Sequence, residues 1–240
     1  MTFRLGGELE VRRLGFGAMR IVHEPVEGVR VLRRAVELGV NLIDTADIYG
    51  AGASEELIAK ALHPYAADLV IATKGGLGWG LQERIRDGRP EHLRSAVEAS
   101  LRRLRLERID LYQLHRHDPA VPLEESVGAL AELRSEGKIR LIGLSNVSLR
   151  QLGIAQAVTE VASVQNQFNR GLLTSEDVLE ACEARRIAFL PWAPLGEGLR
   201  PSADELRWLL DRSDVILPIP GTASIAHLEA NMRAASPQAD

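Results

Sequence analysis

Asn41-Leu42-Ile43-Asp44-Thr45-Ala46-Asp47-Ile48-Tyr49-Gly50 carries a short apolar run into an acid and, five positions later, a tyrosine. Asn41 to Ile43 read as the buried end of a parallel strand, and Ala46 to Gly50 as the loop that leaves it. In isolation the stretch also has an ordinary reading, in which Asp44 caps a turn and Tyr49 is half-buried packing. The choice turns on whether other strands end in the same way.

Short apolar runs do recur along the chain, at residues 14–19, 40–45, 69–74, 109–115, 139–145, 162–167, 188–192 and 215–218. Segments with apolar residues at helical spacing alternate with them, at 25–38, 54–62, 90–104, 123–135, 149–158, 175–185, 203–212 and 225–235. Pro25 and Pro90 suit first-turn positions, while Ser54, Ser175 and Ser224 suit caps. Gly39 and Gly137 suit helix ends. Alternation of this kind implies parallel strands joined by right-handed crossovers. Eight such units without a linker predict an α/β fold, a closed (β/α)8 TIM barrel in one domain spanning 1–240. An open doubly wound sheet fits less well, because Gly15-Phe16-Gly17 lacks the third glycine of the dinucleotide fingerprint. Before the first unit, 2–5 and 8–11 flank Gly6-Gly7, which predicts a β-hairpin that plugs one barrel end.

The 240 residues are 45% hydrophobic and 26% charged, enough for a barrel-sized core. A net charge of -4 provides no basic field for nucleic acid or an anionic membrane, so neither is expected as a partner. Cys182 is the single cysteine, which excludes a disulfide or a cysteine zinc site within one chain and makes a cytoplasmic setting the default. No apolar run approaches the roughly 20 residues that span a bilayer, and no signal peptide is expected.

In barrels of this type the chemistry sits where strands finish. Asp44, Lys74 and His115 end three consecutive predicted strands and place an acid, an amine and an imidazole at equivalent heights. Singly, a rim lysine or a satisfied core histidine is unremarkable. Together, a charged lysine beside an acid can lower the pKa of a nearby tyrosine from about 10, with Tyr49 as the tyrosine in reach. His115 could then orient a substrate oxygen. No nucleophile elbow and no metal-ligand spacing stands out, so the set fits proton transfer to a carbonyl oxygen and no metal is expected.

These residues resemble the aldo-keto reductase family over nearly the whole chain. The resemblance is carried by Asp44-Thr45-Ala46-x-x-Tyr49-Gly50, Thr73-Lys74-Gly75-Gly76, Ile109-Asp110-Leu111-Tyr112-x-Leu114-His115 and Ile142-Gly143-Leu144-Ser145-Asn146, in that order. It implies reduction of a small-molecule aldehyde or ketone by hydride from a nicotinamide cofactor lying across the barrel mouth. Tyr49 would be the general acid, Lys74 and Asp44 its tuning pair, and His115 the substrate-orienting group. Ser145, Asn146 and Gln165 would hold the nicotinamide carboxamide. Trp192 would stack on the ring, where the family commonly has tyrosine. Gly17, Ala18, Met19 and Asp44 would border the nicotinamide ribose side, and Ala193, Pro194, Leu195 and Gly196 the pyrophosphate. Gly221, Thr222, Ser224, His227 and Asn231 would meet the adenosine end.

The chain departs from the family at Gly221, His227 and Ala230, where many members carry lysine, arginine and glutamate. NADPH is therefore the expected cofactor on family grounds, with NADH as the alternative. Only one helix fits between Gly198 and Val215, and the usual C-terminal substrate loop is missing. The resemblance thus implies an open pocket, bordered by Trp79 and Arg116-His117, that discriminates poorly among carbonyl compounds. A monomer or weak homo-oligomer is expected. The alternative function is a cofactor-binding regulatory subunit or weakly active barrel with little turnover.

Overall fold

Thr2–Leu5 (β1) and Leu9–Arg12 (β2) pair antiparallel, and Gly6 and Gly7 supply the positive φ angles of the turn between them. Side chains alternate along this hairpin: Phe3, Leu5 and Val11 enter the main core, whereas Arg4 and Glu10 face solvent. The side chain of Asn41 accepts from the Arg12 amide at 2.7 Å and donates to the Glu10 and Asp68 carbonyls at 3.0 and 3.2 Å. Asn41 therefore stands just outside the strand that follows it and ties the hairpin to the strand-start end of the barrel. The computed structural model describes residues 1–79, 84–196 and 202–233.

Seven parallel strands form one curled sheet. In spatial order they are Phe16–Gly17 (β3), Leu42–Asp44 (β4), Val70–Gly75 (β5), Ile109–Leu114 (β8), Ile139–Ser145 (β9), Ser163–Gln165 (β10) and Ala188–Phe189 (β11). Registers such as Phe16 to Ile43, Ile43 to Ile71, Ala72 to Leu111 and Tyr112 to Ile142 keep the strand ends level. The eighth stave, predicted over 215–218, is reduced to an isolated parallel bridge between Phe189 and Ile216. Pro218 and Pro220 explain the loss, since neither can donate to a ladder. Their carbonyls still accept, from Gly15 N at 2.9 Å and Gly17 N at 3.3 Å, and so close the barrel against β3. The predicted strand at 14–19 is correspondingly short, and Met19–His23 turn into a 3-10 helix.

That seam needs two glycines. A Cβ on Gly17 would stand 2.7 Å from the Ile219 carbonyl oxygen, and one on Gly221 would stand 2.7 Å from that of Gly17. Gly17→Ala is expected to lower stability by about 1–3 kcal/mol, because backbone cannot yield as a side-chain tip can. Gly128→Ala is the control: it lies in a helix with open space around it and should be neutral or stabilising by up to about 1 kcal/mol. Urea midpoints of the two variants test the contrast.

Among the described residues eight α-helices pack outside the sheet: Pro25–Glu37 (α1), Ala53–Leu62 (α2), Pro90–Leu104 (α3), Leu123–Ser135 (α4), Leu149–Val158 (α5), Glu176–Arg185 (α6), Ala203–Arg212 (α7) and Ile225–Met232 (α8). Pro25 and Pro90 occupy first-turn positions, Gly39 and Gly137 take positive φ past their helices, and Ser224 caps α8 by accepting from His227 N. Ser54 does not cap. It lies one residue inside α2, buried, and its hydroxyl accepts from Thr45 Oγ1 at 2.7 Å and donates to the Ala18 carbonyl at 3.0 Å. Ser175 precedes α6 without bonding its free amides. Residues 234 and 235, predicted as the end of the last helix, lie outside the described residues. An antiparallel hairpin of Leu77–Trp79 (β6) and Arg84–Arg86 (β7), not anticipated from the sequence, rises above β5.

Candidate active site

Lys74 stands one residue before the end of β5 with no exposed surface, an arrangement a bare ammonium could not sustain in an apolar wall. Its Nζ donates to Asp44 Oδ2 at 2.6 Å and to the Thr45 carbonyl at 2.7 Å. Burial opposes its charge, but Asp44 and then Tyr49 outweigh that opposition and hold its pKa above the ordinary lysine value. Asp44 is equally confined. Its Oδ1 accepts from Gln113 Nε2 at 3.0 Å and Gln165 Nε2 at 2.8 Å, so the carboxylate joins its own strand to three others.

Tyr49 rests on this pair from the cavity side. Lys74 Nζ stands 5.3 Å from its ring centroid, and His115 meets the ring edge-on, with centroids 6.0 Å apart. The geometry follows from the strand ends: β4 stops at Asp44, the turn of Ala46 to Tyr49 folds back, and β5 and β8 deliver Lys74 and His115 side by side. Lys74 itself does not reach the cavity; Asp44, Tyr49 and His115 do.

The cavity at this end measures about 610 Å³. Gly17, Ala18 and Met19 border it at the end of β3, Ser145, Asn146 and Gln165 at the ends of β9 and β10, and Trp192 to Gly196 after β11, with Gly221 at the seam. The polar groups among them are interlocked. Trp192 Nε1 donates to Asn146 Oδ1 at 3.1 Å, Asn146 Nδ2 donates to the His115 carbonyl and to Ser145 Oγ, and Ser145 Oγ donates to the Gln165 carbonyl at 2.9 Å. Asn146 is held at φ +58, a left-handed conformation that asparagine tolerates.

Thr222, Ser224, His227 and Asn231 lie beyond the cavity wall. Thr222 and Ser224 build the turn into α8, His227 is exposed, and Asn231 is buried with Oδ1 lacking a hydrogen-bond partner among the described residues. Of the pocket borders expected from sequence, Arg116 lines the cavity, whereas the His117 ring is held away by the Val121 carbonyl and Gln151. The side chain of Trp79 lies outside the described residues.

Sequence reasoning missed Gln113 as a ligand of Asp44, although a lone amide within Leu111-Tyr112-Gln113-Leu114 was the available signal. It also missed Arg20 and Arg86, which line the cavity from the 3-10 helix and from β7.

Behind the site lies a second acid cluster. Glu55, fully buried, accepts from Thr73 Oγ1 and Arg103 Nε, each at 2.6 Å. Asp47 is half-buried, but its Oδ1 is sealed and without a hydrogen-bond partner among the described residues. Burial first, and Glu55 second, push its pKa up to about 7. Native Asp47 therefore keeps a proton that the unfolded chain releases near pH 4, and its contribution to stability falls as pH rises from about 4 to about 7. Asp47→Asn should flatten that fall and raise stability above pH 7 by about 2 kcal/mol, allowing for partial solvent contact. Thermal midpoints measured across this range check both sign and window.

Among the described residues no group of three or more His, Cys, Asp or Glu is placed to hold a metal, and no helix is long and apolar enough to cross a membrane. A family model described as the Aldo/keto reductase family matches residues 13–206. An uncharacterised oxidoreductase of Schizosaccharomyces pombe is 43% identical, with 97% of this chain and 84% of that protein covered. Pyridoxine 4-dehydrogenase of Escherichia coli is 38% identical, with 97% and 92% covered. Among solved structures, an aldo-keto reductase from Klebsiella pneumoniae in complex with NADPH is similar at a TM-score of 0.82 and 27% identity, with 98% and 89% covered.

Proposed function

Because the chain belongs to the aldo/keto reductase family and is thereby an NAD(P)H-dependent oxidoreductase, we propose that it interconverts small aldehydes or ketones and alcohols with NADPH, with Tyr49 as proton donor and residues 1–240 acting as one barrel domain. One observation carries the mechanism: a fully buried lysine, bound to a buried aspartate, underlies a tyrosine that faces the cavity beside a histidine. The Escherichia coli relative is named for pyridoxine, an alcohol whose oxidation yields an aldehyde, and this supports the carbonyl–alcohol class.

The residues present fit the cofactor. An aromatic face at Trp192, polar groups at Ser145, Asn146 and Gln165, and a loop with positive φ at Ala193 and Gly196 border one cavity. The sealed Oδ1 of Asn231 is an acceptor suited to an adenine amino group. Bound there, the nicotinamide would supply the hydride. Tyr49 Oη gives its proton to the substrate oxygen as negative charge develops, and Lys74 stabilises the phenolate left behind. Asp44 keeps Lys74 charged and in place, and His115 orients the oxygen. NADPH is preferred to NADH on the Klebsiella neighbour's ligand, although Gly221 and His227 stand where many family members carry lysine and arginine. Oxidation of NADPH, set against NADH, with 4-nitrobenzaldehyde tests the reading; absence of carbonyl-dependent oxidation with either coenzyme overturns it.

A further inference from the structure

Among the described residues, two arginines at one end of the cavity have no acid to answer them. Arg86, on β7, and Arg116, directly after His115, both line the cavity, and among the described residues of its wall the only carboxylate is Asp44, already engaged by Lys74. Nearby acids are committed elsewhere. Asp87 pairs with Arg89 at 2.7 Å, and Asp118 accepts from the amides of Gly88 and Ala120. Among the described residues neither Arg86 nor Arg116 has an ion-pair partner, and Arg86 makes a single long bond, 3.5 Å, to the His117 carbonyl. That bond also sets the two loops side by side.

Barrel topology separates this end from the cofactor's. Arg86 and Arg116 follow β5 and β8, the third and fourth staves, while Trp192 and Gly221 follow the seventh and eighth across the barrel. Arg20 follows the first stave, beside the eighth, and falls on the cofactor side. Two guanidinium groups on this wall make charge a means of selection among substrates.

Resting on the reductase reading, we propose that the substrate carries an anionic group, carboxylate or phosphate, held by Arg86 and Arg116 while its carbonyl faces Tyr49 and His115. A guanidinium pair matches such groups through forked hydrogen bonds, and the carboxylate in the described wall, Asp44, is already paired with Lys74.

The test compares kcat/KM for 4-carboxybenzaldehyde, 4-formylphenyl phosphate and the neutral methyl 4-formylbenzoate. A parallel calorimetric titration of the NADP-loaded protein uses 4-carboxybenzyl alcohol and its methyl ester. The better of the two anions should exceed the ester by about tenfold, and the carboxylate and phosphate arms show which group is preferred. In Arg86→Ala/Arg116→Ala the anion-to-ester ratio should fall towards one in both assays, with partial recovery in Arg86→Lys/Arg116→Lys. An anion-to-ester ratio near one in wild type, or one untouched by the double substitution, overturns the proposal. No turnover of any aldehyde, with a calorimetric preference that still depends on the two arginines, would sink the reductase reading and leave the anion site standing.

Discussion

Lys74→Met is expected to lose turnover altogether and to destabilise the barrel by about 3–5 kcal/mol, because it leaves the buried Asp44 carboxylate without its cation. Gln113 and Gln165 would still donate to Oδ1, but neutral amides do not balance a buried charge. Asp44→Asn/Lys74→Met removes both charges and should recover much of the stability while activity stays lost. Urea unfolding read beside NADPH oxidation separates the two effects. Equal stability of Lys74→Met and the double variant would mean that the pair is not coupled as described.

Tyr49→Phe is the sharper probe of chemistry. It removes one oxygen and keeps the ring that packs beside His115 and among Ala46, Ile48 and Leu77, so stability should change by no more than about 1 kcal/mol. The kcat for carbonyl reduction should fall by about 10²–10⁴, the usual worth of a positioned acid. Turnover equal to wild type would remove Tyr49 from the proposed role.

The barrel was legible because its strands and helices each keep their own period, and because the chemistry interrupts that period. Asp44, Lys74 and His115 stand out in sequence as charged or titratable groups closing apolar runs, and the structure brings them to one place. Features that obey no local rule were not legible. The eighth stave fails as a strand because two prolines cannot donate, yet their carbonyls close the sheet, and only the pairing with Gly15 and Gly17 reveals it. Ser54 has the composition of a cap, but α2 begins one residue earlier, at Ala53 after Gly52 with φ +96, and turns the hydroxyl inward. The β6–β7 hairpin is three residues to a strand, too short for a period to show, so Arg86 could not be assigned to the cavity in advance. The adenosine end rested on the resemblance of residues 219–231 to a family segment, and the structure gives Thr222 and Ser224 a local task in the turn before α8.

The barrel seam has a bearing on how the protein comes to exist. Gly15 and Gly17 meet Pro218 and Pro220 across about 200 residues of sequence, a contact of very high order that cannot form until the segment 218–220 has been synthesised. The same segments carry Ala18, Met19 and Gly221, which border the cavity. A ribosome would therefore release nearly every stave before the coenzyme-facing wall exists, and partly made chains would have no such wall to occupy. Coenzyme would act on the finished barrel alone, latching shut the join between its first and last staves.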